Sequence, residues 1–208
     1  MPIPHVRFAG LALAAWASLS LPTPAKAQDM AGDRFSPEDI ITVATGDFDG
    51  NGAADAAMIV SPQDEDAFAS DLYIFLEGTG EDTPPGKLGL ALFRKGAAWG
   101  ARPLLAGQVP HLTALSNGSL RIETENIAIG RNAWEQHVTL AYRDGRFRVA
   151  GFTYNAYDRL QEEGEVSCDL NLFSGKGQIN GATVRFDVSR TPFEDRKDED
   201  ALQICGIN

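Results

Sequence analysis

Asp47, Asp49, Asn51 and Asp55 place oxygen-bearing side chains at positions 1, 3, 5 and 9 of one loop. Gly52 stands at position 6, where the chain must turn sharply, and Ala53 at position 7 offers its backbone carbonyl. Calcium is a hard cation that takes six to eight oxygen ligands, so short acids and amides at alternate positions suit it. Asp and Asn are short enough to point inward without filling the ring. Gly50 and Gly52 let the loop curl without a Cβ clash. The competing reading is a Gly/Asp-rich turn that binds nothing. An ion held here would serve the fold first, neutralising three carboxylates and setting the angle of the loop.

Other residues with chemical potential carry weaker patterns. An EF-hand would need a bidentate Glu at position 12, where this chain has Met58. His111 and His137 each fall on a predicted strand without metal-type spacing, which reads as structural or surface histidine. No G-x-S-x-G nucleophile elbow occurs, and Ser174 in Phe173-Ser174-Gly175-Lys176 reads as a turn residue. Gly80 to Lys87 has the wrong spacing for a phosphate loop, and Leu88 stands where Ser or Thr is needed. Asp64, Glu65 and Asp66 form an acidic turn, one strand length of roughly 25 Å from Asp55, too far to complete its site. Asp195, Asp198 and Asp200 lack glycine punctuation and read as a charge run. Paired carboxylates for glycoside hydrolysis depend on separation in space, which sequence does not show. Trp99, Trp134, Tyr154 and Tyr157 fall in or beside predicted loops and strand ends, where aromatics can form a binding face or close a core edge.

The flanks of the loop decide which elements hold it. Ile40-Ile41-Thr42-Val43 is rich in β-branched residues, and Ala56-Ala57-Met58-Ile59-Val60 ends β-branched with Pro62 beyond. This predicts strand–loop–strand. The stretch from Val43 to Asp55, with its small residue–Gly–Asp–Phe lead-in, resembles the FG-GAP (VCBS-type) repeat of integrin α-chain propellers and many secreted bacterial proteins. The resemblance covers about 20 residues, and the unit occurs once. It implies calcium ligation by Asp47, Asp49, Asn51, the Ala53 carbonyl and Asp55. The stretch from Ile127 to Asp158, with Cys168-Asp169-Leu170-Asn171, is also similar to secreted bacterial proteins.

The first 27 residues read as a signal peptide. Arg7 supplies the positive start, Phe8 to Leu21 is apolar, Pro22 and Pro24 end the run, and Ala25-Lys26-Ala27 is an A-x-A cleavage site. The apolar run is too short for a comfortable transmembrane span. The expected destination is the periplasm or the exterior, with no transmembrane segment after cleavage. The remaining residues, 28–208, are enough for one domain with a real core. The net charge of the whole chain is −11. An acidic chain of this kind repels phosphate backbones, which argues against nucleic acid as a partner. Cys168 and Cys205 form an isolated pair, expected to be disulfide-bonded in an oxidising compartment.

Ser36-Pro37-Glu38-Asp39 predicts one helical turn, with Ser36 as cap. Asp71 to Leu76 reads as a central strand with apolar residues on both faces, and Leu88 to Phe93 as another. Residues 94–110 read as irregular, 155–164 as a loop or short helix, and 191–200 as a charged, solvated tail. Three hairpins carry Asn-Gly or Asp-Gly turns. Asn117-Gly118 is expected to pair Leu115 with Leu120 and Thr113 with Ile122. Asp144-Gly145 is expected to pair Tyr142 with Phe147 and Leu140 with Val149, leaving Arg143, Arg146 and Arg148 on the other face. Asn180-Gly181 is expected to pair Ile179 with Ala182.

The expected fold is all-β: antiparallel strands and hairpins with few short helices, in a partial propeller-like meander or a sandwich. Three functional readings follow. One is a calcium-stabilised binding module of the cell envelope, meeting a protein or glycan. Another is a secreted hydrolase with carboxylate catalysis. The third is a structural or inhibitor protein in which calcium and the disulfide only confer stability.

Overall fold

A computed structural model describes residues 35–62, 68–79, 83–101, 105–161, 164–188 and 192–207. The leader 1–27 and the acidic turn Asp64–Asp66 lie outside them. Pro37–Asp39 forms the expected turn, and the Ser36 N–H donates to Asp39 Oδ2 at 3.0 Å. Eleven strands follow: β1 (Ile40–Gly46), β2 (Asp55–Val60), β3 (Ala69–Glu77), β4 (Leu88–Trp99), β5 (His111–Ala114), β6 (Leu120–Asn126), β7 (Asn132–Arg143), β8 (Arg146–Asp158), β9 (Val166–Asn171), β10 (Lys176–Ile179) and β11 (Ala182–Arg185). Among the described residues there is one α-helix, α1 (Asp198–Ile204), after the last strand. The fold is all-β.

Both sheets are antiparallel meanders in chain order: β1-β2-β3-β4 and β11-β10-β9-β8-β7-β6-β5. Their inner faces share one core. Leu112, Ile122, Val138, Phe152 and Leu170 are successive cross-strand partners, so one buried row crosses five strands. Each side chain of that size contributes roughly 1.5–3 kcal/mol on burial. Ile59, Leu72, Ile74 and Leu92 supply the facing layer. β3 is central, as its two-faced apolar pattern predicts. On its outer face Tyr73 is covered by Phe35 and Phe93, with ring centroids at 5.0 and 4.8 Å.

The second and third hairpins have the expected register. Tyr142 pairs with Phe147, Leu140 with Val149, and Ile179 with Ala182. Both residues of each turn have positive φ, 53° and 75° at Asp144-Gly145 and 50° and 78° at Asn180-Gly181. That twist matches the flanking strands. The first hairpin corrects the expectation by one residue. Ala114 pairs with Leu120 and Leu112 with Ile122, so Leu112 faces the core instead of Thr113. The Leu115 N–H donates to the Ser119 carbonyl at 2.8 Å, leaving a three-residue loop, Ser116-Asn117-Gly118. Gly118 takes positive φ there and Asn117 does not.

Three further expectations are corrected. Residues 94–99 continue β4 instead of being irregular; a bulge at Lys95-Gly96-Ala97 absorbs the extra length, and the Gly96 N–H donates to Asp71 Oδ1 at 2.8 Å. Residues 155–158 belong to β8, because β7 offers a backbone partner for each of them. The tail is not simply solvated: Phe193 is 1% exposed. Arg94 holds it, donating to the carbonyls of Phe193 and Arg196 at 2.7 and 2.8 Å. Cys168 in β9 is bonded to Cys205 beyond α1, with Cα atoms 5.8 Å apart. A loop of this length stabilises by roughly 4 kcal/mol in the chain-entropy model.

Candidate metal centre

β1 and β2 pair up to Gly46 and Asp55, so the intervening loop projects from the end of the four-stranded sheet. Phe48 anchors it: the side chain is 3% exposed and packs in the shared core. A Cβ on Gly46 would meet the Phe48 ring at 3.0 Å, so a residue with little bulk is needed there. Gly50 and Gly52 both take positive φ, the curl expected of them.

Asp47, Asp49 and Asp55 each offer one carboxylate oxygen, and these oxygens lie within 4.8 Å of one another. Among the described residues no other group of three acidic, histidine or cysteine side chains converges in this way. Asp55 is 1% exposed. Its Oδ2 accepts the Phe48 N–H at 2.7 Å and its Oδ1 the Glu77 N–H at 2.9 Å, which ties the loop to the end of β3. Asp47 accepts the N–H groups of Gly50 and Gly52 at 2.8 and 3.0 Å. Asp49 accepts from the Asn51 backbone and side-chain amides at 3.0 and 3.1 Å. The Asn51 side-chain Oδ1 accepts the Ala53 N–H at 2.7 Å. Of the five sequence-predicted ligands, the three aspartates are brought together around one point. Asn51 and Ala53 lie on the same loop and bond to each other.

Three carboxylates at this spacing repel by roughly 1–3 kcal/mol per pair, depending on local screening. Backbone N–H donors relieve part of that, and a cation would relieve the rest. The donors are oxygens, which suits a hard cation better than a soft one. Beside the loop opens a cleft of about 400 Å³ lined by Asp47, Phe48, Asp49, Gly50, residues 115–118 and Arg143.

Other candidates separate in space. Trp99 meets Trp134 edge to face with centroids 5.9 Å apart, Trp134 stacks on Tyr154 at 6.3 Å, and Phe68 stacks on Trp99 at 6.3 Å. Trp134 and Tyr154 lie within strands, and Tyr157 sits on the opposite face, opposite Ala133. His111 and His137 are both cross-strand partners of Glu123. With Glu125 and Glu135 they line a cleft of about 190 Å³ on the outer face of the larger sheet. Sequence reading missed this group. The alternation Glu123-Thr124-Glu125 and Glu135-Gln136-His137 marks each half, but only the register joins them. Ser174 lies in a turn whose N–H groups are taken by Asn171 Oδ1.

No known protein family, curated protein or solved structure matches this chain. Among the described residues no helix is long and apolar enough to cross a membrane.

Proposed function

We propose that this chain is an exported, calcium-stabilised binding module of the cell envelope, whose partner is a protein or glycan. The observation that carries the reading is the convergence of Asp47, Asp49 and Asp55 on a loop between two antiparallel strands. Asp47, Asp49 and Asp55 would hold the ion, with Asn51 and the Ala53 carbonyl completing the set that the FG-GAP resemblance implies. The ion would supply charge neutralisation at the loop. The disulfide and the signal-like leader support an oxidising destination, the periplasm or the exterior. The aromatic run supports binding: Phe68, 75% exposed, stacks on Trp99, 41% exposed, so the two form a contiguous apolar surface.

A thermal melt of the leader-less chain tests the metal. Calcium at tenfold excess over its Kd should stabilise by about 1.4 kcal/mol, a rise of roughly 3–6 °C over chelated protein. No shift at millimolar calcium would reduce the loop to a hydrogen-bonded turn.

A secreted hydrolase is the second reading, favoured by one observation. Glu125 and Glu135 are direct cross-strand partners in a cleft that also holds two histidines. Carboxylate catalysis needs one acid shielded from water. Glu135 is exposed and Glu125 half-buried, so the binding reading stands first. Hydrolysis of a chromogenic glycoside that is lost in Glu125→Gln would reverse that order.

A further inference from the structure

The larger sheet carries a second cluster of metal-ligating side chains. It lies at the far end of the β5–β6 hairpin from the turn that borders the aspartate loop. Leu112, Ile122 and Val138 face the core in one cross-strand row, so alternation turns His111, Glu123 and His137 outward in the next. Glu125 and Glu135 stand in the outward row beyond and are direct cross-strand partners. All five residues line one cleft. Like charges placed opposite each other destabilise a strand pair. Among the described residues, the side chains of Glu125, Glu135, His111 and His137 have no hydrogen-bond or ion-pair partner.

Glu123 differs from these four. Arg121 Nε lies 2.6 Å from its Oε1, and the Thr113 hydroxyl donates to its Oε2 at 3.4 Å. Both partners stand one outward row nearer the turn, so the Glu123 carboxylate is drawn away from Glu125. His111 and His137 share Glu123 as cross-strand partner and so flank β6, two strand spacings or roughly 10 Å apart. Each imidazole then has about 5 Å of backbone separation to cover to meet over β6. Imidazole nitrogen and carboxylate oxygen are donors that zinc takes, at bond lengths of about 2 Å. The ligating atoms stand wider apart than those of the aspartate loop. His111 and Glu135 are exposed and His137 and Glu125 half-buried, so rotation about side-chain bonds can close them on an ion.

We propose that His111, His137, Glu125 and Glu135 form a binding site for a divalent transition cation of the zinc type. The two imidazoles select against calcium, which takes oxygen ligands. The ion neutralises the paired glutamates and ties the edge strand β5 to β7 across β6. The site rests on the register of three strands. It is independent of calcium at the aspartate loop and of the binding partner proposed above.

The test uses the untagged leader-less chain, whose histidines are His111 and His137 alone. Zinc is titrated by calorimetry in millimolar calcium, and the two imidazole signals are followed by NMR. One zinc per chain should bind saturably at micromolar concentration and move both imidazole signals. His111→Gln and His137→Gln should each weaken binding about tenfold or more, and Glu135→Gln severalfold, all with amide dispersion unchanged. Asp49→Ala should leave zinc binding intact, and calcium alone should move neither imidazole signal. Absence of saturable zinc binding would overturn the proposal. So would a ratio of one zinc to two chains, loss of zinc binding in Asp49→Ala, or a loss confined to one histidine variant.

Discussion

The loop from Asp47 to Asp55 and the hairpin from Tyr142 to Arg148 lie beside each other, since Arg143 lines the cleft next to Asp47 and Asp49. Each crowds like charges onto a turn, and each resolves the crowding differently. Aspartate is short. Three of them on a curled loop converge, and backbone N–H groups plus a cation can satisfy them. Arginine is long. The three beside the second turn stand on its flanking strands, where Arg143 Nη1 donates to the Tyr142 carbonyl and Arg148 Nη2 lies 3.7 Å from Asp144 Oδ2. Side-chain length separates the two: the short acids converge on one point, while the long guanidiniums find acceptors along the hairpin itself.

The comparison can be broken most sharply at Asp55. Asp55→Ala leaves the Phe48 and Glu77 N–H groups without their acceptor in a buried place. Each such loss costs about 1–3 kcal/mol. The expected outcome is a fall in Tm of roughly 5–15 °C even in chelator, with no calcium response left. A chelated Tm equal to wild type would show that Asp55 is not the staple between loop and sheet.

Asp49→Ala sharpens the same contrast. Its bonds stay within the loop, both to Asn51. The chelated protein should melt within a few degrees of wild type, and the calcium-dependent rise should vanish. A retained calcium response would remove Asp49 from the ligand set.

The smallest effect belongs to a charge pair far from both turns. Arg131 Nε reaches both oxygens of Asp158 at 2.8 and 2.7 Å. Hydrogen bonding to Arg131 is the main cause that holds the Asp158 carboxyl below its usual 3.8. A lowered folded pKa contributes stability above the unfolded value, and that contribution is lost as pH falls through the folded one. The difference in Tm between wild type and Asp158→Asn should therefore be small at pH 7 and shrink further below pH 3.8. A difference that grows on acidification would contradict the assignment. Exposed pairs of this kind contribute little at best.

The second and third hairpins were legible because Asp-Gly and Asn-Gly accept positive φ at both positions, which sets the register. The first was misread by one residue. Asn117 Oδ1 accepts the Ser119 N–H at 3.1 Å and the residue does not take positive φ, so the loop is one residue longer. The ends of β4 and β8 were hidden because, Trp99 and Tyr157 apart, their residues are polar or small. What makes them strand is a partner backbone, and no local pattern reports that. The tail was read as solvated because charge surrounds Phe193 in sequence. Its burial depends on Arg94, about a hundred residues away.

Local chemistry was decided by the sequence alone: a curled acidic loop between strands, two hairpin registers, an all-β class and one cysteine pair. Each rests on covalent neighbours, through glycine's freedom, side-chain alternation and ligand spacing. Tertiary structure decided everything that needed distant partners. It seated Phe48 in the core beneath the loop, gave Asp55 a donor from β3, set Glu125 against Glu135, and closed a cleft between Arg143, Arg148 and Phe173. These contacts join residues that only sheet register and layer packing bring together, and register is a property of paired strands.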